Sequence, residues 1–293
     1  MNVALEASMT PPRAARTALL RRKILDRTMR TLAAAAIGVA VVPLFSVLWE
    51  VLRLGLPGLR PGFFSSLPVP VGEPGGGMGN ALVGTLILVG LGGAIGVPVG
   101  LLAGIYLAEF GRGRLARIVR FTADVLSGVP SIVVGIFAYT VVVMPMNHFS
   151  ALSGGVALSV LMIPVVSRTT EEMVKLVPTT LREGALALGC PRWRATLQIV
   201  LPTALPGVLA GVMLAVARVA GETAPLLFTA FGSRFWFEGL RQPVAGLPLQ
   251  IFTYAVSPYD EWHAQAWTGA LVLVLLVVLL QLVIRLYARW RMH

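Results

Sequence analysis

Two ionisable residues stand where hydrocarbon is expected. In the apolar run 203–230, Arg218 and Glu222 are four residues apart, with Thr223 beside them and Gly221 and Pro225 flanking the acid. An arginine at the centre of a membrane span costs at least about 2.5–3.5 kcal/mol, so it faces a bundle interior or an aqueous cavity. Two chemistries fit the spacing. The residues could form a self-neutralising pair one helical turn apart that locks helices together. Alternatively, Arg218 could supply positive potential to an anion pathway, with Glu222 tempering it so that the anion can leave. Pro225 removes a backbone donor and, with Gly221, loosens the helix beside the pair. Broken helices of this kind line the cavities of transport sites. Counted from the start of the run, Arg218 is about fifteen residues in, which places it near mid-membrane.

Catalysis has little to work with. Cys190 is the single cysteine, and His148, His263 and His293 are scattered, so neither a disulfide framework nor a metal-ligand spacing is present. Lys23 and Lys175, the only lysines, follow no glycine loop of the phosphate-cradling type. An intramembrane enzyme would need a His, Cys or Asp cluster within reach of the pair. Asp124, an acid near the cytoplasmic end of its span, is expected to pair with Arg120.

These residues sit in a chain that is 56% hydrophobic and 13% charged over 293 residues, with a mean hydropathy of +0.82. Soluble domains carry about a quarter charged residues, so the composition indicates a polytopic membrane protein. Helical crossing of a bilayer needs about 20 residues, and six runs qualify: 31–50, 81–108, 121–143, 151–167, 203–230 and 267–286. The fold expected is all-α with six transmembrane helices, a basic N-terminal tail (1–30), a six-span membrane domain (31–286) and a short C-terminus (287–293). The first run has a leader too long for a signal peptide and no small-residue cleavage site, so it reads as a retained anchor.

The formal charge of +11 does not indicate nucleic acid, because the basic residues cluster at the ends of spans. The tail, the 109–120 and 168–202 loops and the C-terminus hold 19 Lys and Arg, against four (Arg53, Arg60, Arg234, Arg241) in the alternate loops. That bias puts both termini in the cytoplasm. The basic tail suits anionic lipid headgroups. Of the outer loops, 53–80 is rich in Gly and Pro and reads as irregular. The other, 231–266, carries Phe235, Trp236, Phe237, Tyr254, Tyr259 and Trp262, either an interfacial belt or a docking surface. Small residues recur in 84–104 and at Gly207 and Gly211, which permits close helix approach within the chain or between subunits.

The loop 168–202 contains EGALALGCPRWRATLQIVLP, residues 183–202. Thr169-x-x-Glu172 and Thr180-x-x-Glu183 both have the spacing of a capping box. Leu181, Ala185 and Leu188 fall on one helical face, with Arg182 and Glu183 elsewhere. Gly189 suits the left-handed residue that ends a helix, and Pro191 the first turn of the next. The loop is thus expected to be a helix, a corner and a second helix. It could simply connect spans, or it could be a rigid knob for another protein to grip.

Its residues resemble the E-A-A-x3-G-x9-I-x-L-P motif of ABC-importer permeases. Glu183, Ala185, Gly189, Ile199, Leu201 and Pro202 match, and Gly184 replaces the first alanine. NALVGTLILV, GIYLAEFG, LSGVPSIVVGIFAY, SRTTEEMVKLVP and ARVAGETAPLLFTA are similar to the permeases of the phosphate-specific (Pst) importers, of the PstA type, from about residue 80 to 286. The resemblance implies the MetI-like ABC-permease fold, a bacterial inner-membrane location and transport of phosphate, with other oxyanions such as sulfate or molybdate as the alternative. It implies that 168–202 is the coupling loop, with Arg182, Glu183, Ala185 and Gly189 contacting an ATPase. It also implies partners: a second permease (PstC type) in a heterodimer, two copies of a cytoplasmic ATPase (PstB type) and an extracytoplasmic phosphate-binding protein (PstS type). ATP would be used by those subunits, with no cofactor or metal on this chain.

Overall fold

The computed structural model describes residues 13–73 and 75–291, with side chains from 21 to 286 apart from Pro74. The first twelve residues of the expected tail, and the side chains of Arg289 and Arg291, lie outside the described residues. All regular elements among the described residues are helical, with one isolated bridge between Phe231 and Val244. The chain forms two compact units, Met1–Arg53 and Leu54–His293.

The first unit consists mainly of helix α1, Arg13–Gly55, so the basic leader from Arg13 onward is helical and continuous with the first apolar run. In the second unit α2 spans Gly79–Phe110, its last five residues wound as a π-helical turn, Tyr106–Phe110. Helix α3 (Arg114–Gly128) is followed by α4 (Ser131–Met146), and α5 runs Ala151–Leu176. Helix α6 is Thr179–Ala187, α7 is Arg192–Ala220, and a single turn, α8, covers Ala224–Leu227. The chain ends with α9 (Leu247–Ala255) and α10 (Asp260–Arg291).

Among the described residues, five helices are long and apolar enough to cross a membrane, and the bent pair α3–α4 brings the number to six. That pair corrects the expected straight span 121–143. Its halves meet at 109°, because Pro130 disfavours helical backbone at Val129, which is extended at φ −70° and ψ 131°. Helix α3 is amphipathic: Arg117 and the half-buried Arg120 alternate with the exposed Leu115, Ile118, Phe121 and Val125. Such a helix suits a membrane–water interface better than the hydrocarbon. The expected span 203–230 is also displaced. Helix α7 begins at Arg192 and ends at Ala220, and the rest of that apolar run is turn and short helix.

Close packing of α2 on α5 forms the centre of the second unit. Gly92, Gly96, Gly100 and Gly104 repeat every four residues and so share one face of α2. A methyl group at these positions would lie 2.9 Å from the Leu158 Cβ, 2.8 Å from the Met162 Cβ, 2.7 Å from the Val166 Cβ and 2.6 Å from the Thr170 Cβ. Against lipid, where apolar burial gives no driving force, such backbone proximity is the main source of attraction between helices. Gly211 of α7 meets Thr169 of α5 in the same way, 2.5 Å from a built methyl group to the Thr169 Cβ. The small-residue runs therefore pack within the chain. Leu88, Leu158, Met162, Val166 and Val219 fill the core between these helices.

Neither expected capping box forms. Thr169 lies within α5 and donates its hydroxyl to the Val165 carbonyl, while α6 begins after Pro178 with no side-chain cap. A real box closes the start of α5, where Ser150 and Ser153 bond reciprocally. The 53–80 segment is less irregular than expected. It holds helical turns at Leu56–Gly58 and Pro61–Ser65 and buries Phe63. The outer aromatics divide. Tyr254 is 5% exposed and stacks on Trp262 at 4.5 Å, whereas Phe235 is 68% exposed.

Candidate functional site

The fold carries the sequence-predicted residues at the two ends of α7. At its start, α6 and the first turn of α7 form a hairpin whose corner is Leu188–Pro191. Gly189 takes φ +78° at that corner, and Cys190 donates its backbone N–H to the Ala185 carbonyl. This is the left-handed helix stop expected from the sequence. A side chain at Gly189 would meet nothing within 4 Å, so the constraint there is the backbone conformation and not the steric clash that a crowded corner would impose.

The expected apolar face of the hairpin is only partly correct. Ala185 is buried, but Leu181 is exposed and Leu188 is 90% exposed. The corner turns Leu188 away from the helix below it. Glu183 and Gly184 are also exposed, and a methyl group at Gly184 would meet nothing within 4 Å. The outward surface of the hairpin therefore combines an acid, glycines and bare leucines, including Leu186.

Arg182 points inward. Its Nε donates to Glu109 Oε1 at 2.8 Å, while its other nitrogens donate to the Val177 and Val174 carbonyls at 2.5 and 2.6 Å. Behind it lies a second set of ion pairs. Glu171, with its side chain 3% exposed, receives Arg120 at 2.7 Å and Lys175 at 2.5 Å. Arg168 reaches Glu172 at 2.9 Å and Asp124 at 3.3 Å. The pairing expected between Asp124 and Arg120 is replaced, because α3 lies along α5 and offers each a partner across the helix interface. Sequence reasoning missed Glu109, Glu171 and this network. Only the two spacings of four, Glu171–Lys175 and Arg168–Glu172, were readable in advance.

At the other end of α7 the helix stops at Ala220, and Arg218 is in its last turn. The pair is therefore at a helix terminus and not at a helix midpoint; Arg218 is about 39 Å along α7 from Arg192. Gly221 and Pro225 do flank a break: Gly221 caps α7, and Pro225 enters the first turn of α8. The turn is held by packing, since a methyl group on Gly135 of α4 would lie 2.7 Å from the Pro225 Cα. Thr229 Oγ1 adds a hydrogen bond to the Pro225 carbonyl at 2.7 Å. Arg218 Nε lies 3.7 Å from Glu222 Oε1, beyond hydrogen-bonding distance, and the Arg218 side chain is 44% exposed. Among the described residues, no hydrogen bond uses its guanidinium. Arg218 continues the exposed stripe of α7 that includes Thr203, Ala210 and Leu214. Thr223 is half-buried next to the break.

These two ends, a gripped hairpin and a broken helix bearing a loose arginine, accompany a clear kinship. Residues 96–293 match the family model described as binding-protein-dependent transport system inner membrane component. The chain belongs to that family. It is 43% identical to the phosphate transport system permease protein PstA of Yersinia pestis, over 98% of this chain and 97% of that relative. It is 38% identical to the phosphate transport system permease protein PstA 1 of Mycobacterium tuberculosis strain H37Rv, over 90% of this chain and 87% of that relative. The inward-facing MetNI methionine ABC transporter contains a chain with the same fold: TM-score 0.56 at 23% identity, covering 72% of this chain and 92% of that one. The permease is thus a multi-pass membrane protein of the MetI-like fold.

Proposed function

We propose that this chain is the transmembrane permease subunit of an ATP-driven phosphate importer. The observation that carries the reading is the near full-length identity to relatives named phosphate transport system permeases. Arg218 at the helix break, which meets Glu222 only in a loose 3.7 Å ion pair, supports it independently. A guanidinium offers five donors in a planar fork suited to phosphate oxygens, and among the described residues no hydrogen bond uses them. In this reading Arg218 and Thr223 line the anion path. Glu222 stays near enough to Arg218 to weaken its hold on a dianion, which a transporter must release as well as bind.

The charge asymmetry of the loops puts both termini and the hairpin in the cytoplasm. There the exposed Glu183, Leu186 and Leu188 form the docking face for a PstB-type ATPase, and Gly189 fixes its corner. A second permease of the PstC type would complete the pathway, with one ATPase on each permease, and a PstS-type binding protein would deliver phosphate to the outer loops. ATP is bound and hydrolysed by the ATPase copies alone.

The test is uptake of labelled phosphate in cells that depend on this transporter, with unlabelled sulfate and molybdate as competitors. Competition by phosphate alone is expected, and competition by sulfate or molybdate would reassign the substrate. Arg218→Gln should abolish uptake while the assembly still purifies intact. Wild-type uptake in that variant would leave the pair a structural role only.

A further inference from the structure

Three arginines from three segments converge on the π turn Tyr106–Phe110 that closes α2. Arg120 of α3 donates to the Leu107 carbonyl at 2.8 Å. Arg182 of α6 donates to the Glu109 carboxylate at 2.8 Å, and Arg192, the first residue of α7, donates to the Glu109 carbonyl at 3.2 Å. The Arg192 guanidinium also lies 5.9 Å from the centre of the Phe110 ring. The last carbonyls of any helix lack intrahelical donors and carry the negative end of its dipole, so cations belong there. A glutamate does not. Glu109 opposes the dipole in the last turn of α2, yet its side chain is only 9% exposed. Helix stability alone would not select an acid at this position, whereas a clamp for Arg182 requires one.

We propose that Glu109 is a positioning residue that fastens both arms of the α6–α7 hairpin to α2, so that the hairpin and the α2–α5 pair move as one body. The first arm is held through Arg182 and the second through Arg192. The glycine-lined contact between α2 and α5 then leaves little room for relative motion. A push on the hairpin would reach the core through the π turn instead of being lost in the loops around Val177 and Gly189. This mechanical role rests on the reading of the hairpin as the ATPase docking segment; the physical clamp does not.

The experiment uses the complete transporter in nanodiscs and proteoliposomes. Spin labels at Leu181 and Leu102, which are 43% and 70% exposed, report the distance between hairpin and α2. The wild-type distribution should be narrow and that of Glu109→Ala broad. An unchanged distribution overturns the clamp whatever transport does. In proteoliposomes, phosphate moved per ATP hydrolysed should fall about 5- to 150-fold in Glu109→Ala, the usual range of coupling between sites, with hydrolysis retained. Arg192→Leu, which removes the second tether only, should show a smaller fall. If Glu109→Ala does not assemble, Arg192→Leu decides, and a wild-type ratio there overturns the proposal. A wild-type complex that ignores phosphate, combined with a broadened Glu109→Ala distribution, would support the clamp and reject only the phosphate reading.

Discussion

Arg182 and Arg218 are both arginines beside an apolar span, each near a glutamate, and their surroundings differ in every other respect. Arg182 directs Nε to Glu109 and its two terminal nitrogens to backbone carbonyls, and its side chain is 20% exposed. Arg218 is 44% exposed, approaches Glu222 only to 3.7 Å and has no hydrogen bond among the described residues. A guanidinium whose donors are consumed by its own chain holds structure together. One whose donors are free can take a visiting anion. The difference lies in what surrounds each residue, since both have an acid at a plausible spacing.

The contrast can be broken most directly at Arg182. Arg182→Ala strands a nearly buried carboxylate and two helix-end carbonyls, and removing one partner of such a pair costs about 3 kcal/mol. Thermal unfolding of the purified transporter should register this, and a loss under about 1 kcal/mol would erase the distinction from Arg218. Next comes the body to which the hairpin is fastened. Gly100→Leu should cost about 1–3 kcal/mol by overpacking α2 against α5, and an unchanged melting temperature would mean that this contact is looser than the structure indicates.

Smaller effects sharpen the hairpin side. Gly189→Ala should cost about 1–2 kcal/mol, the penalty of a Cβ in left-handed backbone, and Gly189→Asn less. Equal losses in both would point to side-chain contact instead. Gly184→Ala should stabilise by up to about 1 kcal/mol through helix propensity, because nothing opposes the added methyl group. A gain in stability with a loss of coupling would mark Gly184 as a contact for the partner. Smallest in stability should be Arg218→Gln, within about 0.5 kcal/mol while uptake is lost. If it unfolds the protein as Arg182→Ala does, the two arginines do the same work.

The sequence was most legible where the physics is local. Lengths of apolar runs located both ends of α2 to within two residues and the start of α5, although α5 runs on to Leu176, past the expected end at 167. The stop at Gly189 followed from glycine's tolerance of positive φ, and Pro191 stands just before α7, which begins at Arg192, and not in its first turn. Proline was underweighted at Pro130, where a run long enough to cross the membrane is bent by 109° into an interfacial arm and a shorter helix. The Thr-x-x-Glu spacings misled for a related reason. A capping box stabilises a helix start only where one exists, and tertiary packing of α5 carried that helix through Thr169.

What the chain dictated by itself was its solvent and its segmentation: how much of it must leave water, roughly where it crosses, and where helices cannot continue. These depend on hydration free energies and backbone sterics, which act within a few residues. The partner chosen by each charge was a tertiary decision. Asp124 took Arg168 and Arg120 took Glu171 because α3 lies beside α5, and Arg182 was spent on Glu109, 73 residues away. Ion pairs require atoms within about 4 Å, and only the assembled helices bring residues so distant in sequence that close.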